Sequence, residues 1–405
     1  MRVLSFVEGA YPNPTSMRLP VLPELCDCLA RRGHAVVLCV AGQANIDAQR
    51  FVTRTTSGVL MAGWASEGFH MLTDPAISKW AIAPKMVIRA ARYARNADVI
   101  TLHSVYSFPV LLGYLLARRY NKPYCLWPHG VLAPFQRRVS AGKKRVYGWL
   151  VAQRILNHAS AIVFTSQGER DETRSLGVTA RSVIIPHGID TGPYEHLPER
   201  GAFRAQYLQA HSGPIVLFLS RLNAKKGLDV LIQAFAQVVE HLPDTCLAIV
   251  GNSDPPAFES EVQAWLRQYG LARHAAMTGP LTGESKRQAF ADADVFVLPS
   301  HAENFGVAIF EAMASRLPIV VSDTLNYADE IRRSEAGFVV RRDPREFASA
   351  ILKLLTDSDL RKRMGGNGLR MAQAYSWQAC GEKVERTIQC VLQGKALPAD
   401  LTLGG

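Results

Sequence analysis

The sequence lacks an apolar run long enough to cross a bilayer. The best stretch, residues 108–117, is short and carries Pro109 and Gly113. A secretory leader is missing as well: Met1-Arg2-Val3-Leu4-Ser5-Phe6-Val7 enters a strand pattern at once. Cysteine is sparse, at 7 in 405 residues. The odd number, scattered without metal-ligand spacing, argues against a disulfide framework and for reduced thiols in a cytosol. Cys26 and Cys28 fall in a helical pattern, where i and i+2 point apart, so no metal site is expected there. There is no G-x-G-x-x-G, no internal repeat and no low-complexity tract, and no nucleic-acid-binding module is visible. The reading is therefore a protein without metal or nucleic-acid partners.

The length exceeds one ordinary core, so two domains are the prior. The formal charge of +11 is partly local. Residues 137–154 hold Arg137, Arg138, Lys143, Lys144, Arg145 and Arg154, no acid, and interleaved Tyr147, Trp149, Leu150 and Val151. A basic helix with exposed aromatics suits an anionic membrane surface. A solvated basic face whose apolar residues pack on the domain is the alternative.

Short apolar strand patterns alternate with helical ones, which argues for parallel sheets covered on both faces. Strands are expected at 3–7, 35–40, 99–102, 124–127, 161–165 and 182–185. Helices are expected at 17–32, 78–95, 108–119, 143–157 and 167–175. Residues 45–75 are less regular, with an inserted hairpin at 52–55 and 59–62 as one reading. The turn-rich run Pro186-His187-Gly188-Ile189-Asp190-Thr191-Gly192-Pro193 marks a boundary. The alternation then restarts, from a strand at 215–220 to one at 319–321 and a late short one at 337–340. Helices close the chain, with Gly365-Gly366-Asn367-Gly368 a candidate interruption and Ser376 a break before the last helix. These boundaries define an N-terminal domain, 1–190, and a C-terminal domain, 191–375, with the helix 376–393 returning to the first.

In open α/β sheets, ligands bind outside the carboxyl ends of the strands. The most informative stretch sits there: Pro299-Ser300-His301-Ala302-Glu303-Asn304-Phe305-Gly306-Val307 follows an apolar strand and opens a helix that carries Glu311. Helix-start N–H groups attract phosphate, and Gly306 lets backbone approach a ligand. Carboxylates nearby suit sugar hydroxyls. Phosphate plus polyol suggests a nucleotide sugar. Arg221 and Lys226, leaving the strand at 215–220, can stabilise a departing diphosphate; Lys225 reads as their solvated neighbour. Gly251 and Leu281, each just past a strand, are candidates for contact with the nucleotide and its base. Plain turn chemistry explains such glycines almost as well. His129 follows another strand and can bond a sugar hydroxyl. His103 is a candidate acceptor contact, and His187 reads as structural. Ser16, in the first loop, can set backbone N–H groups beside a phosphate.

Together these residues resemble retaining glycosyltransferase family 4. Glu303 and Glu311 match its E-x7-E motif, with Glu303-Asn304-Phe305-Gly306 and Glu311-Ala312-Met313-Ala314 in the family's form. Ser220-Arg221 with Lys226-Gly227 matches its phosphate-binding pair, and Pro186-His187-Gly188-Ile189-Asp190 its interdomain signature. The resemblance implies the GT-B fold: two Rossmann-like doubly wound domains facing a central cleft, the first for acceptor and the second for nucleotide sugar. It implies metal-independent, cofactor-free transfer of a hexosyl unit from a UDP- or GDP-linked donor, with retained configuration. Glu303 would hold the donor sugar, Glu311 the ribose, His129 the 6-hydroxyl region, and Asn304, Phe305, Gly306 and Val307 the rest of the donor. One departure stands out: Thr15-Ser16-Met17 replaces the Gly-Gly pair of many members.

The run at 127–135 resembles bacterial members that build surface polysaccharide on polyprenyl-diphosphate-linked acceptors. That implies a cytoplasmic enzyme, peripheral on the inner face of the plasma membrane. A sugar-nucleotide epimerase and a non-catalytic nucleotide-sugar-binding subunit remain as alternatives. The first would need further acid/base carboxylates.

Overall fold

Val, Ile, Leu and Phe dominate the strand segments, and parallel sheets that are buried on both faces select such residues. The computed structural model describes residues 1–8, 22–41, 69–74, 80–132, 151–208, 211–303 and 305–402. The chain forms two units, Met1–Gly188 with Trp377–Gly405, and Ile189–Ser376.

The first unit holds β1 (Arg2–Glu8), β2 (Ala35–Ala41), β3 (Phe69–Asp74), β4 (Val99–His103), β5 (Tyr124–Trp127), β6 (Ala161–Phe164) and β7 (Ser182–Ile184). They make one parallel sheet in the order 3-2-1-4-5-6-7. Side chains alternate between its faces. Leu4 and Phe6 join one core with Met86, Ala90 and Val110 from the helices Pro84–Asn96 and Phe108–Arg119. Val3 and Val7 join the other with Leu25, Leu29, Val384 and Ile388, from the helices Leu22–Arg31 and Trp377–Leu392. Burying one such aliphatic side chain contributes roughly 1.5–3 kcal/mol. The last long helix is thereby held to the first unit. Arg32 reinforces it with a 2.6 Å bond to Glu385.

The second unit holds β8 (Ile215–Leu219), β9 (Cys246–Val250), β10 (Ala275–Gly279), β11 (Val295–Leu298), β12 (Ile319–Ser322) and β13 (Gly337–Val340). This parallel sheet has the order 10-9-8-11-12-13, and helices flank it. Both units are thus Rossmann-like. Strand order reverses between β1 and β4 in one and between β8 and β11 in the other, which places a crevice at the carboxyl ends of those pairs.

Two expectations about elements change. Strand β3 occupies part of the segment read as irregular; it pairs with β2 along six residues, Phe69 to Asp74. The hairpin expected at 52–62 lies outside the described residues. The glycine-rich run does not interrupt a helix: Ser358–Ala374 is continuous. A Cβ on Gly365 would stand 2.1 Å from the Arg316 carbonyl oxygen, and one on Gly368 3.2 Å from Met313. The glycines there serve close packing on the helix Val307–Ala314 and its C-terminal turn. That gain outweighs their poor helix propensity.

Candidate active site

After β8 the chain keeps an extended course. Ser220 N–H donates to the Val250 carbonyl at 3.0 Å and Leu222 N–H to that of Asn252 at 2.8 Å. A tight turn at Ala224–Lys226 then starts the helix Leu228–His241. The loop after the neighbouring strand β11 is stitched to it: His301 N–H donates to the Lys225 carbonyl at 2.8 Å. Adjacent strands therefore bring Lys226 and Glu303 together. Lys226 Nζ stands 2.5 Å from Glu303 Oε1, which also accepts the buried Ser300 hydroxyl at 2.7 Å. The pair is largely shielded, with side chains 12% and 10% exposed. Ser300 is itself fixed, since its carbonyl accepts Ser322 Oγ at 2.5 Å and Thr324 Oγ1 at 2.9 Å.

Arg221 is not drawn into this cluster. Its guanidinium is exposed and lies 3.3 Å from the exposed Asp254. A pair so open to water holds neither partner firmly. Lys225 is exposed, as read from the sequence.

Glu311 lies in the second turn of the helix Val307–Ala314. Its Oε1 accepts Tyr194 Oη at 2.7 Å and Lys286 Nζ at 2.6 Å. Sequence reading missed both partners, because they sit 117 and 25 positions away with no motif around them. Burial, reinforced by the Glu311 charge, pushes the Tyr194 phenol well above its usual range, so it stays a donor. Gly306 starts the helix at φ +69, and no side chain caps it. The first helical N–H groups there suit an anion.

The Phe305 ring is buried and stacks on Phe310 at 4.3 Å, with Tyr327 edge-on to both, so its side chain is part of the core. Val307 is 41% exposed at the helix start. Leu281 is half-buried against the second unit's core. Gly251 has φ +151, and a Cβ on it would stand 1.8 Å from the Ser220 carbonyl oxygen. Backbone-to-backbone packing between the β8 and β9 ends alone requires glycine there. Asn304, Ser16 and the basic run at 133–150 lie outside the described residues.

In the first unit, strand register brings the histidines together. His103 ends β4 opposite Trp127 of β5, and His129 lies two residues further on. His103 Nδ1 and His129 Nε2 are 3.0 Å apart, and His103 Nε2 is 3.1 Å from Thr101 Oγ1. His103, read as a candidate acceptor contact, is 1% exposed, and both its ring nitrogens face protein groups. His187 stacks on His129 at 5.1 Å. Burial, then the charge of His187, holds His103 at about 3, and burial alone holds His187 at about 4. His129 is held well below the usual imidazole range by burial, then by His187 and His103.

His129 has φ +54, a left-handed backbone that costs a non-glycine residue roughly 1 kcal/mol or more. The buried Glu169 holds that turn. It accepts Gly130 N–H at 2.5 Å through one oxygen, and Thr165 N–H and hydroxyl, each at 2.7 Å, through the other. Burial raises its pKa, while those donors oppose the rise. Glu169 carried no sequence signal beyond lying in a short helical pattern.

Among the described residues no group of three or more His, Cys, Asp or Glu is arranged to hold a metal, and no helix is long and apolar enough to span a membrane. A cavity of about 440 Å³ lined by His211, Asp244, Arg273 and His274 lies at the amino ends of the second sheet's strands, away from the motifs.

Comparison with known proteins adds two family matches. Residues 21–192 match the profile described as Glycosyltransferase Family 4, and residues 199–371 that described as Glycosyl transferases group 1. The chain is 29% identical to the phosphatidyl-myo-inositol mannosyltransferase of Mycobacterium leprae, over 96% of this chain and 97% of that one. It is 26% identical to the D-inositol 3-phosphate glycosyltransferase of Kineococcus radiotolerans, over 92% and 90%. Among solved structures, Anabaena HepE in complex with UDP and glucose superposes with a TM-score of 0.73 at 19% identity, covering 96% of this chain and 99% of that one.

Proposed function

Since this chain is a GT-B-fold glycosyltransferase related to family 4 and group 1, we propose that it moves a hexosyl unit from a nucleoside-diphosphate sugar to a glycan acceptor, retaining the anomeric configuration. The observation that carries this reading is the Lys226–Glu303 pair on the loops of two adjacent strands at the second sheet's switch point.

In this reading the second unit binds the donor. The diphosphate lies against the uncapped start of the helix Val307–Ala314, with Gly306 and Val307 beside it. Lys226, joined by Arg221 when its exposed side chain swings from Asp254, stabilises the charge that grows as the sugar–phosphate bond breaks. Glu303 takes sugar hydroxyls and Glu311 the ribose, while backbone near Leu281 meets the base. Gly251 keeps the β8–β9 ends close. His129 bonds a hydroxyl of the transferred sugar. Asn304 and Ser16 complete the donor contacts. The reaction passes through a short-lived oxocarbenium-like state on the donor's front face, and the leaving diphosphate takes the acceptor proton, without a metal.

The first unit receives the acceptor. A polyprenyl-diphosphate-linked glycan in surface polysaccharide synthesis fits the basic run at 137–154, which would rest on an anionic inner membrane face from the cytoplasmic side.

A panel of radiolabelled UDP-, GDP- and ADP-sugars with membrane extract tests this. Label entering a lipid-linked fraction supports it. Free epimerised nucleotide sugar would point to an epimerase, and tight binding without turnover to a non-catalytic subunit. Replacing Lys143, Lys144 and Arg145 by Gln should release the protein from anionic vesicles.

A further inference from the structure

We propose that Arg342 is a positioning residue for the transfer: its guanidinium, forked onto the Pro299 carbonyl and the neutral His301 ring, holds the loop that sets Glu303 against Lys226. This rests on the roles given to Lys226 and Glu303 above.

The fork starts from a fixed base. Arg342 lies two residues beyond β13, and the backbone on either side of it is tied to the helix Pro344–Thr356. Arg341 N–H donates to Glu346 Oε2 at 2.9 Å. Asp343 caps the helix, accepting Arg345 N–H at 2.9 Å and Glu346 N–H at 3.3 Å. From there the half-buried Arg342 side chain reaches past the end of β12 to the loop after β11. Its Nε donates to the Pro299 carbonyl at 3.1 Å and its Nη1 to His301 Nδ1 at 2.9 Å. A guanidinium only donates, so both contacts have one possible direction. Among the described residues Arg342 pairs with no carboxylate; its donors go to this loop.

Three consecutive residues are thereby held. The Pro299 carbonyl is gripped by Arg342 and lies against Gly227, where a Cβ would stand 2.1 Å from its oxygen. The Ser300 carbonyl accepts the Ser322 and Thr324 hydroxyls. The His301 ring accepts from Arg342, and its N–H donates to the Lys225 carbonyl. Lys225 and Gly227 flank Lys226, and Glu303 follows His301 by two residues. The fork therefore acts where the two loops that carry the pair meet. A shift of about 1 Å at such a place can cost roughly 10²-fold in rate.

The bond needs His301 uncharged. A protonated ring has no lone pair on Nδ1 and would face the guanidinium as a second cation. Partial burial, then Arg342, lower the His301 pKa, while Asp229 of the helix Leu228–His241 opposes them. Lys225 and Lys226 are the other cations on the adjoining turn.

Amide hydrogen exchange and donor kinetics test this together. Arg342→Met should speed exchange of the His301 N–H by roughly tenfold and lower kcat/KM for the donor by roughly tenfold or more. Arg342→Lys keeps the cation without the fork and should rescue little. Full rescue would reduce Arg342 to a charge and overturn the proposal. His301→Asn sets an amide oxygen where Nδ1 stands and does not titrate. It should match wild type at about pH 7.5 and hold its kcat/KM below about pH 6, where the wild type falls as His301 gains a proton. An acid fall unchanged in His301→Asn would overturn the proposal, as would wild-type exchange and kinetics in Arg342→Met. A wild type that transfers no sugar from any donor would instead overturn the assigned function, and the exchange rates alone would then decide whether Arg342 holds the loop.

Discussion

Lys226 Nζ and Glu303 Oε1 stand 2.5 Å apart, although they belong to different loops and lie 77 positions apart in the chain. Each side chain is nearly enclosed. Removing Lys226 alone leaves a buried carboxylate unpaired, at a cost of about 3 kcal/mol or more. Lys226→Ala should therefore lower both stability and turnover, the latter by roughly 10²-fold. The double variant Lys226→Met with Glu303→Gln should regain much of the stability in urea unfolding but none of the turnover. Recovery of activity in that variant would remove both residues from the mechanism.

Arg221 gives the contrasting case. Its contact with Asp254 is open to solvent, so Arg221→Ala should leave the unfolding midpoint nearly unchanged. Turnover should still fall by roughly 10²-fold if the guanidinium meets the leaving group. Steady-state kinetics beside thermal melts separates the two effects.

Glu311 receives two donors on one oxygen. Tyr194→Phe and Lys286→Met should loosen its placement and raise KM for the donor by about tenfold, with a smaller change in kcat, because ribose contact is made equally in ground and transition states. Changes in kcat alone would argue that Glu311 meets the reacting sugar instead.

The buried histidines make the first unit sensitive to acid. In the unfolded chain an imidazole gains its proton near 6.5, whereas the folded rings of His103 and His187 wait until about 3 and about 4. Between those values the unfolded state binds more protons. Stability is therefore fully present above about 7 and falls as pH drops towards 4, by up to about 1.4 kcal/mol per pH unit for each ring. Urea unfolding at stepped pH should show this slope, and His187→Phe should flatten it. A wild-type curve level from 7 to 5 would contradict the burial of these rings.

Gly365 and Gly366 form a matched pair. Gly365→Ala forces a methyl into the Arg316 carbonyl and should destabilise by about 2–3 kcal/mol. Gly366 has open space around its Cβ position, so Gly366→Ala should be neutral or stabilising by up to about 1 kcal/mol. Melting temperatures of the two variants check this.

Much of the architecture was legible because buried parallel strands announce themselves. Segments such as Tyr124–Trp127 and the helix Phe108–Arg119 appear at the boundaries that periodicity gives. Strand β3 did not, since Phe69–Asp74 mixes His, Thr and Asp into a short edge position with weak alternation. The glycine run misled for the opposite reason: propensity is a local signal, and the Gly365 contact with Arg316 is tertiary. At the candidate site, position after a strand made Lys226, Glu303 and His129 candidates, and the helix that opens there added Glu311. Such a position could not distinguish Phe305, whose aromatic stack forms only once Phe310 and Tyr327 come together around it. Nor could it find Tyr194, Lys286, Thr101 or Glu169, whose roles arise from contacts and not from motifs.

The most direct test is a crystal structure with a nucleoside-diphosphate sugar bound, the donor being chosen from the labelled panel. The account predicts the diphosphate at the start of the helix Val307–Ala314 beside Lys226, with sugar hydroxyls on Glu303 and ribose on Glu311. A ligand seated elsewhere in the chain, with Lys226 and Glu303 still bonded only to each other and to Ser300, would contradict it.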